Sequence, residues 1–251
     1  MPARPFLSRE RSAALAARYR GRDVPKLSCA TVEDYCDSVD HLPEITGLQG
    51  DLKDVQRPWT AKAILGLLAP GSTLLEFGAG RPDVAAVLAS CGYKVTAVDP
   101  YEGAGRGPVA CDQYKAEFPE VDIRRLLFDD AMPLERPVDA IYSISTLEHI
   151  HDLAPVFRGI RKHLKPGGIS LHSVDIVIKG EAEEFHRDIA RQVLEFHGHG
   201  RESWADFEAR AAADVDTYFL GPSGHQMWRG STPYRQFPFR RVISLQTWAR
   251  F

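Results

Sequence analysis

The sequence predicts an α/β fold in which a doubly wound, mostly parallel sheet is covered by helices on both faces. Two observations carry this prediction. Strand-like and helix-like segments alternate from Thr73 to about Ile178, as expected when parallel strands are joined by crossover helices. The chain of 251 residues is 44% hydrophobic, which is sufficient for a sizeable core.

The predicted elements follow in order along the chain. We expect mostly helix before residue 72, with the Ala- and Leu-rich segment 61–68 packing beside the next strand. The apolar run Thr73–Phe77 is that strand, and the helix after it has a clear start at Pro82 and Asp83. The predicted strands are 73–77, 93–98, 121–128, 138–144 and 168–176, with helices near 82–91, 108–117 and 152–164. Residues 180–213 are expected to be helical, 221–239 loop-like, and 241–251 a final strand.

Composition excludes several classes of protein. The net charge of −3 gives no general attraction to nucleic acid or to an anionic membrane. No apolar run approaches the roughly 20 residues needed to span a bilayer. The Arg-rich residues 1–20 lack a signal peptide's apolar core. The four cysteines form no C-x-x-C pair, which favours free thiols and no metal site. We therefore expect a cytoplasmic protein without nucleic-acid or membrane partners.

A strand, a glycine turn and a helix follow one another at residues 73–91, with Gly78-Ala79-Gly80 as the turn. This layout brings bare backbone and a helix N-terminus to a nucleotide-like ligand. Glu76 precedes the glycines, and Asp99 ends the next strand about 20 residues further on, where a carboxylate suits a ribose. Asp83 stands where a dinucleotide-binding enzyme has its third glycine, and its charge would repel a pyrophosphate.

The acidic-x-Gly-x-Gly form resembles motif I of the class I S-adenosylmethionine (SAM) methyltransferases. Four further segments resemble motifs of that family in the same order, including one large branch's Leu-Glu-His: Asp130–Leu134, Val138–Ser143, Thr146–Ile150 and Leu164–Gly168. The chain departs from the family at Pro82, where a third glycine is common. The resemblance implies a Rossmann-like, seven-stranded sheet whose last strand is antiparallel. It implies a SAM-binding domain within 61–251 but says little about residues 1–50 or 177–240. We expect a helical extension or cofactor lid at 1–60 and a substrate-binding insertion at about 177–240.

The resemblance also implies the cofactor, SAM, and where it binds. The methionine end would contact Glu76 and the glycine turn, and Asp99 would bind the ribose. Asp130 would face the adenine, with Asp129 as the alternative. The cofactor-binding residues expected from the resemblance are Glu76, Gly78, Ala79, Gly80, Asp99, Pro100, Tyr101, Asp130, Ala131 and Ser143.

A hydroxyl acceptor needs a base, for which histidine is the usual choice near neutral pH. The candidates are His149 and His151, after the strand 138–144, and His225 in the loop 221–229. Asp175 is a further candidate to face the pocket, whereas His172 is expected in the core and His186 and His197 on solvated helices. The predicted activity is methyl transfer to an oxygen or nitrogen of a small molecule. The sequence leaves open whether the protein forms a homodimer. The alternatives are a non-catalytic SAM-binding scaffold and a nucleotide-dependent oxidoreductase.

Overall fold

A computed structural model describes residues 6–47, 52–102, 107–180, 182–200, 202–214, 216–217 and 241–251. Its strands are β1 (Leu27–Cys29), β2 (Thr73–Phe77), β3 (Lys94–Asp99), β4 (Asp122–Arg125), β5 (Val138–Ile144), β6 (Leu164–Lys179) and β7 (Arg241–Arg250). Its helices are α1 (Arg9–Tyr19), α2 (Val32–His41), α3 (Lys53–Leu67), α4 (Asp83–Ser90), α5 (Gly107–Glu117), α6 (Ala154–His163), α7 (Glu183–Phe196) and α8 (Glu202–Ala213). A short 3₁₀ turn spans Leu147–His149.

The seven strands form one sheet in the order β1-β7-β6-β5-β2-β3-β4. The five strands from β6 to β4 are parallel to one another. Strand β7 is antiparallel to β6, and β1 is antiparallel to β7. The predicted fold class is therefore confirmed, including the antiparallel last strand.

Both faces of the sheet are buried, because adjacent residues of β2 belong to different core clusters. Leu74 packs with α1, α3, α4 and α5 on one face, whereas Leu75 packs with α6, α7 and α8 on the other. Alternate residues of a strand point to opposite faces of the sheet. Because helices cover both faces, nearly every residue of such a strand is apolar. The carboxyl ends of the parallel strands remain as the edge where a ligand can approach.

The structure differs from the sequence prediction in several places. Strand β4 is shorter than the predicted strand 121–128, and β6 is longer than the predicted strand 168–176. The region before residue 72 contains β1, because Leu27–Cys29 pairs with Leu245–Thr247 at the far end of the chain. Helix α4 begins at Asp83, and Pro82 is its N-cap residue with φ −84° and ψ 51°. Helix α3 crosses the predicted boundary between 60 and 61. The predicted loop 221–239 lies outside the described residues.

None of the helices in the described ranges is long and apolar enough to cross a membrane. Those same residues contain no group of three or more His, Cys, Asp or Glu side chains arranged to hold a metal ion.

Candidate functional site

A cavity of about 440 Å³ opens at the carboxyl ends of β2, β3 and β5. Seven of the residues expected to form the site line it: Glu76, Gly78, Ala79, Gly80, Asp99, Tyr101 and His149. The remaining lining residues are Lys53, Arg57, Arg81, Val84, Ala110, Tyr114, Ile144 and Ser145. The structure thus brings the glycine turn, the acidic end of β3 and the segment after β5 to one place.

The glycine turn requires glycine for two different reasons. Gly78 has φ +64°, and a Cβ there would lie 2.2 Å from Thr146 Cγ2, so the close approach of the segment after β5 excludes any side chain. Gly80 has φ +50°, and a Cβ there would meet no atom within 4 Å. The open space beside Gly80 lies in the cavity wall, where a ligand can reach bare backbone.

Glu76 is a buried carboxylate at the end of β2, only 3% exposed. The hydroxyl of Tyr142 donates a hydrogen bond of 3.1 Å to its Oε2. Burial raises the pKa of Glu76 to about 8, and the Tyr142 hydrogen bond and the charge of Arg57 offset only part of that rise. A cationic ligand group beside Glu76 would favour its ionised form.

Asp99 is held by the backbone on both carboxylate oxygens. Its Oδ2 accepts from the Gly80 amide at 2.9 Å, and its Oδ1 accepts from the Tyr101 amide at 2.6 Å. Each oxygen keeps a second lone pair that can accept a hydroxyl of a ribose. Tyr101 has φ +52°, and its buried hydroxyl has no hydrogen-bond partner within the described part of the chain. An unpaired buried hydroxyl at the cavity wall fits a polar ligand.

Three cations line the same cavity. Arg81 is committed to other residues, since its Nε is 2.8 Å from Asp83 Oδ1 and its Nη1 donates to Glu117 Oε2 at 2.7 Å. Arg57 Nη1 lies 3.8 Å from Asp83 Oδ2. Arg57 and Lys53 are therefore the cations that could hold a ligand carboxylate. Asp83 is only 8% exposed, and its burial raises its pKa.

These residues fit the ligand implied by the family resemblance. Glu76 offers a carboxylate to an ammonium group, and Arg57 and Lys53 offer cations to a carboxylate. Asp99 offers acceptor oxygens to a ribose, and the turn offers open backbone at Gly80. The cavity therefore holds a complementary group for each polar part of the amino acid and ribose portions of SAM.

The other expected residues that the structure describes are not in the cavity lining. The Asp130 carboxylate accepts from Arg158 Nε at 2.6 Å, while the Ala131 amide donates to Asp129 Oδ1 at 2.8 Å. The Pro100 carbonyl accepts from Arg125 Nε at 3.2 Å. Ser143 is fully buried with its Oγ 2.8 Å from His172 Nδ1. His151 is exposed, with its ring centroid 5.5 Å from that of Phe185, and His225 lies outside the described residues.

A buried chain of histidines and hydroxyls lies on the opposite face of the sheet from α3. His172 is fully buried, as expected, and burial lowers its pKa to about 3. Its Nε2 is 2.8 Å from Ser170 Oγ, which is 3.1 Å from His197 Nε2. The prediction that His186 and His197 decorate solvated helices is wrong, because both are 8% exposed. Their spacing on the apolar face of α7, with Ile189, Val193 and Phe196, is the sequence signal that indicates their burial.

A second polar cluster, of which the sequence analysis named only Asp175, adjoins the cavity between α3, β5 and β6. Ser145 lines the cavity in a left-handed conformation with φ +46°. Its Oγ lies 2.7 Å from Gln56 Oε1 and 2.9 Å from Asp175 Oδ1, and Gln56 Nε2 donates to Asp175 Oδ1 at 2.7 Å. The cluster joins residues 56, 145 and 175, so no local spacing could indicate it.

Comparisons with known proteins were made for the whole chain. Residues 52–211, about two thirds of the sequence, match a family model described as a methyltransferase domain. No significant match was found among curated proteins.

Among solved structures, the chain is similar to YcgJ of Bacillus subtilis, with 12% identity, a TM-score of 0.49, and coverage of 78% of this chain and 98% of that one. A TehB-like SAM-dependent methyltransferase of Corynebacterium glutamicum has 16% identity, a TM-score of 0.41, and coverage of 74% and 85%. The glycopeptide N-methyltransferase MtfA, in complex with SAM, has 19% identity and a TM-score of 0.39. That alignment covers 47% of this chain and spans about half, 54%, of MtfA.

Proposed function

Because the chain belongs to the methyltransferase domain family, we propose that it transfers the methyl group of SAM to an oxygen or a nitrogen of a small molecule. The cofactor expected from the sequence, SAM, is confirmed by the family. The observation that carries the proposed site is the buried Glu76 carboxylate, which faces a glycine turn and a cavity also lined by Asp99. A carboxylate in that position suits a ligand that carries a positive charge.

The residues of the cavity bind and orient the two reactants. Glu76 would accept from the ammonium group, Arg57 and Lys53 would hold the carboxylate, and Asp99 would accept from the ribose. When bound, SAM supplies an electrophilic methyl group on a sulfonium. Gly78, packed against Thr146, keeps the turn rigid, so that the bound reactants stay aligned for in-line displacement.

The acceptor would bind at the side of the cavity where β5 ends. Ser145 and His149 line this side, and His149 is exposed, so its imidazole can reach a substrate in the opening. With a hydroxyl acceptor, His149 is our candidate base, ahead of His151. A small-molecule acceptor agrees with a net charge of −3, which gives no attraction to nucleic acid.

Calorimetric titration of the purified chain with SAM, S-adenosylhomocysteine (SAH) and NAD tests the proposal. We expect binding of SAM and SAH and none of NAD, because Asp83 replaces the third glycine that lets a helix approach a pyrophosphate. Micromolar binding of NAD without a response to SAM would favour the oxidoreductase alternative. Binding of SAM with no SAH formation across a broad panel of acceptors would favour the non-catalytic scaffold.

A further inference from the structure

The cavity wall at the end of β5 borders a buried acidic pair, Glu148 and Asp175. Ser145 and His149 line the cavity, and Glu148 lies between them in the 3₁₀ turn Leu147–His149. Asp175 lies on the neighbouring strand β6, and its Oδ1 contacts Ser145 Oγ at 2.9 Å. Neither carboxylate lines the cavity itself, but each adjoins a residue that does, so both lie directly behind the wall on the acceptor side of the proposed site.

Glu148 is only 3% exposed, yet neither of its carboxylate oxygens has a hydrogen-bond partner at normal geometry in the described ranges. Its burial and the nearby charge of Asp175 raise its pKa, while the backbone amides of Glu148 and Asp175 lower it weakly. The charge of Lys53, which lines the cavity, also lowers the pKa of Glu148. A buried carboxylate in this state lacks the hydrogen-bond donors that such groups normally have.

Two neutral side chains contact the Asp175 carboxylate. Gln56 Nε2 donates to its Oδ1 at 2.7 Å, and Ser145 Oγ is the second contact. The backbone of Ser145 is fixed in turn, since its amide donates to the Ser173 carbonyl at 2.9 Å and its φ is +46°. A non-glycine residue held in this conformation indicates that the surrounding structure fixes it, as is common at binding sites.

We propose that the methyl acceptor is an amine, which binds as a cation against Glu148 with Asp175 beside it. This proposal rests on the proposed function and specifies its substrate class. An ammonium group supplies the donors that Glu148 lacks and adds a positive charge to that of Lys53. A neutral hydroxyl supplies no charge, and the alkoxide formed from it would be repelled by the two carboxylates.

The pair also provides the proton transfer that an amine requires. One carboxylate takes a proton from the bound R₂NH₂⁺, leaving R₂NH and a carboxylic acid. The nitrogen lone pair then forms the C–N bond as the S–CH₃ bond breaks. The electron pair of that bond remains on sulfur to give SAH, and the product is R₂NHCH₃⁺. The total charge of the site is the same before and after, and the neutralised carboxyl holds the cationic product less strongly.

Ligand-observed NMR on the full chain saturated with SAH tests the proposal, using benzylamine and benzyl alcohol as probes of one shape. We expect saturation transfer to the amine and little to the alcohol at millimolar concentration. Glu148→Gln should weaken the amine signal by about tenfold or more, as expected for the loss of a charge-assisted hydrogen bond. Glu184→Gln, an exposed position on α7, is the matched control and should change nothing.

Each outcome decides the proposal. Equal binding of amine and alcohol, binding of neither, or unchanged amine binding in Glu148→Gln would overturn it. If circular dichroism shows that Glu148→Gln does not fold, Asp175→Asn must weaken the amine at least severalfold for the proposal to stand. SAH formation from amines but not from the matched alcohols would support it further. Failure of SAM and SAH to bind at all would instead refute the proposed function, and the titration of the unmodified chain detects that separately.

Discussion

Because burial keeps Glu76 mostly protonated at pH 7, we predict that SAM binding depends steeply on pH. With a pKa of about 8, Glu76 is ionised in only about 10% of ligand-free molecules at pH 7. If the ionised form alone binds the cationic ligand, the apparent affinity falls in proportion to the ionised fraction. That fraction rises from about 1% at pH 6 to about 50% at pH 8, so SAM should bind about 50-fold more tightly at pH 8 than at pH 6.

Isothermal titration in buffers of different ionisation enthalpy measures this coupling directly. At pH 7, we expect about 0.9 proton to be released for each SAM bound. An affinity that is flat between pH 6 and pH 8, with no dependence on the buffer, would refute the reasoning. The amino group of the ligand titrates near pH 8 itself, so Glu76→Gln is the necessary control. Any pH dependence that survives in this variant does not come from Glu76.

The raised pKa of Glu76 also predicts that its carboxylate destabilises the ligand-free protein when it ionises at higher pH. Its pKa is raised in the folded state, so its contribution to stability is present below about pH 4.5 and is lost as the pH rises towards 8. The shift corresponds to roughly 4–5 kcal/mol across that range. Glu76→Gln should therefore raise the melting temperature at pH 8 while weakening SAM binding. A lower melting temperature in this variant at pH 8 would contradict the assignment.

Three further predictions concern single residues of the cavity. Asp99→Ala removes the acceptors expected for the ribose and should weaken SAM binding by about tenfold or more in a calorimetric titration, whereas unchanged affinity would show that it does not contact the ligand. Gly78→Ala should destabilise the chain or abolish SAM binding, because its Cβ would lie 2.2 Å from Thr146, while Gly80→Ala should cost only about 1–2 kcal/mol of backbone strain in a denaturant melt; equal effects at the two glycines would contradict the packing argument. If a hydroxyl acceptor turns over, against the amine proposal, His149→Ala should leave SAM binding intact and lower that rate by about 10²–10⁴ in a single-turnover assay of SAH formation; a normal rate would exclude it as the base.

The glycine turn could be predicted from the sequence because its parts are local or regularly spaced. Glu76 and Gly80 are four residues apart, and Asp99 follows at the end of the next strand, so the parallel register brings them together. The residues that would contact the adenine of SAM were harder to predict. Asp130 has the expected position in the sequence, but its carboxylate is paired with Arg158 on the surface of α6. A motif fixes the place of a residue along the chain, whereas its rotamer depends on neighbours from other elements.

On the acceptor side the sequence indicated only His149 and Asp175 as candidates, because this side is assembled from distant segments. Gln56 and Asp175 are 119 residues apart, and Ser145 joins them through a left-handed backbone that its sequence does not indicate. Glu148 belongs to the Leu-Glu-His segment, in which only the neighbouring His149 was predicted as a site residue. Its burial is a property of the packed turn, and no apolar periodicity of the surrounding sequence indicates it.

The pairing of β1 with β7 has a consequence for how the chain completes its fold during synthesis. Thr247 Oγ1 donates to the Lys26 carbonyl across a separation of 221 residues. The ribosome delivers β1 early, yet its partner strand follows only after a separation of 221 residues, so β1 must wait unpaired while the central parallel strands assemble. Contacts of this sequence separation form slowly, because a long loop must close before they contribute. The outer edge of the sheet is therefore the part of the newly made chain that stays open to chaperones, or to a second copy of the chain, for longest.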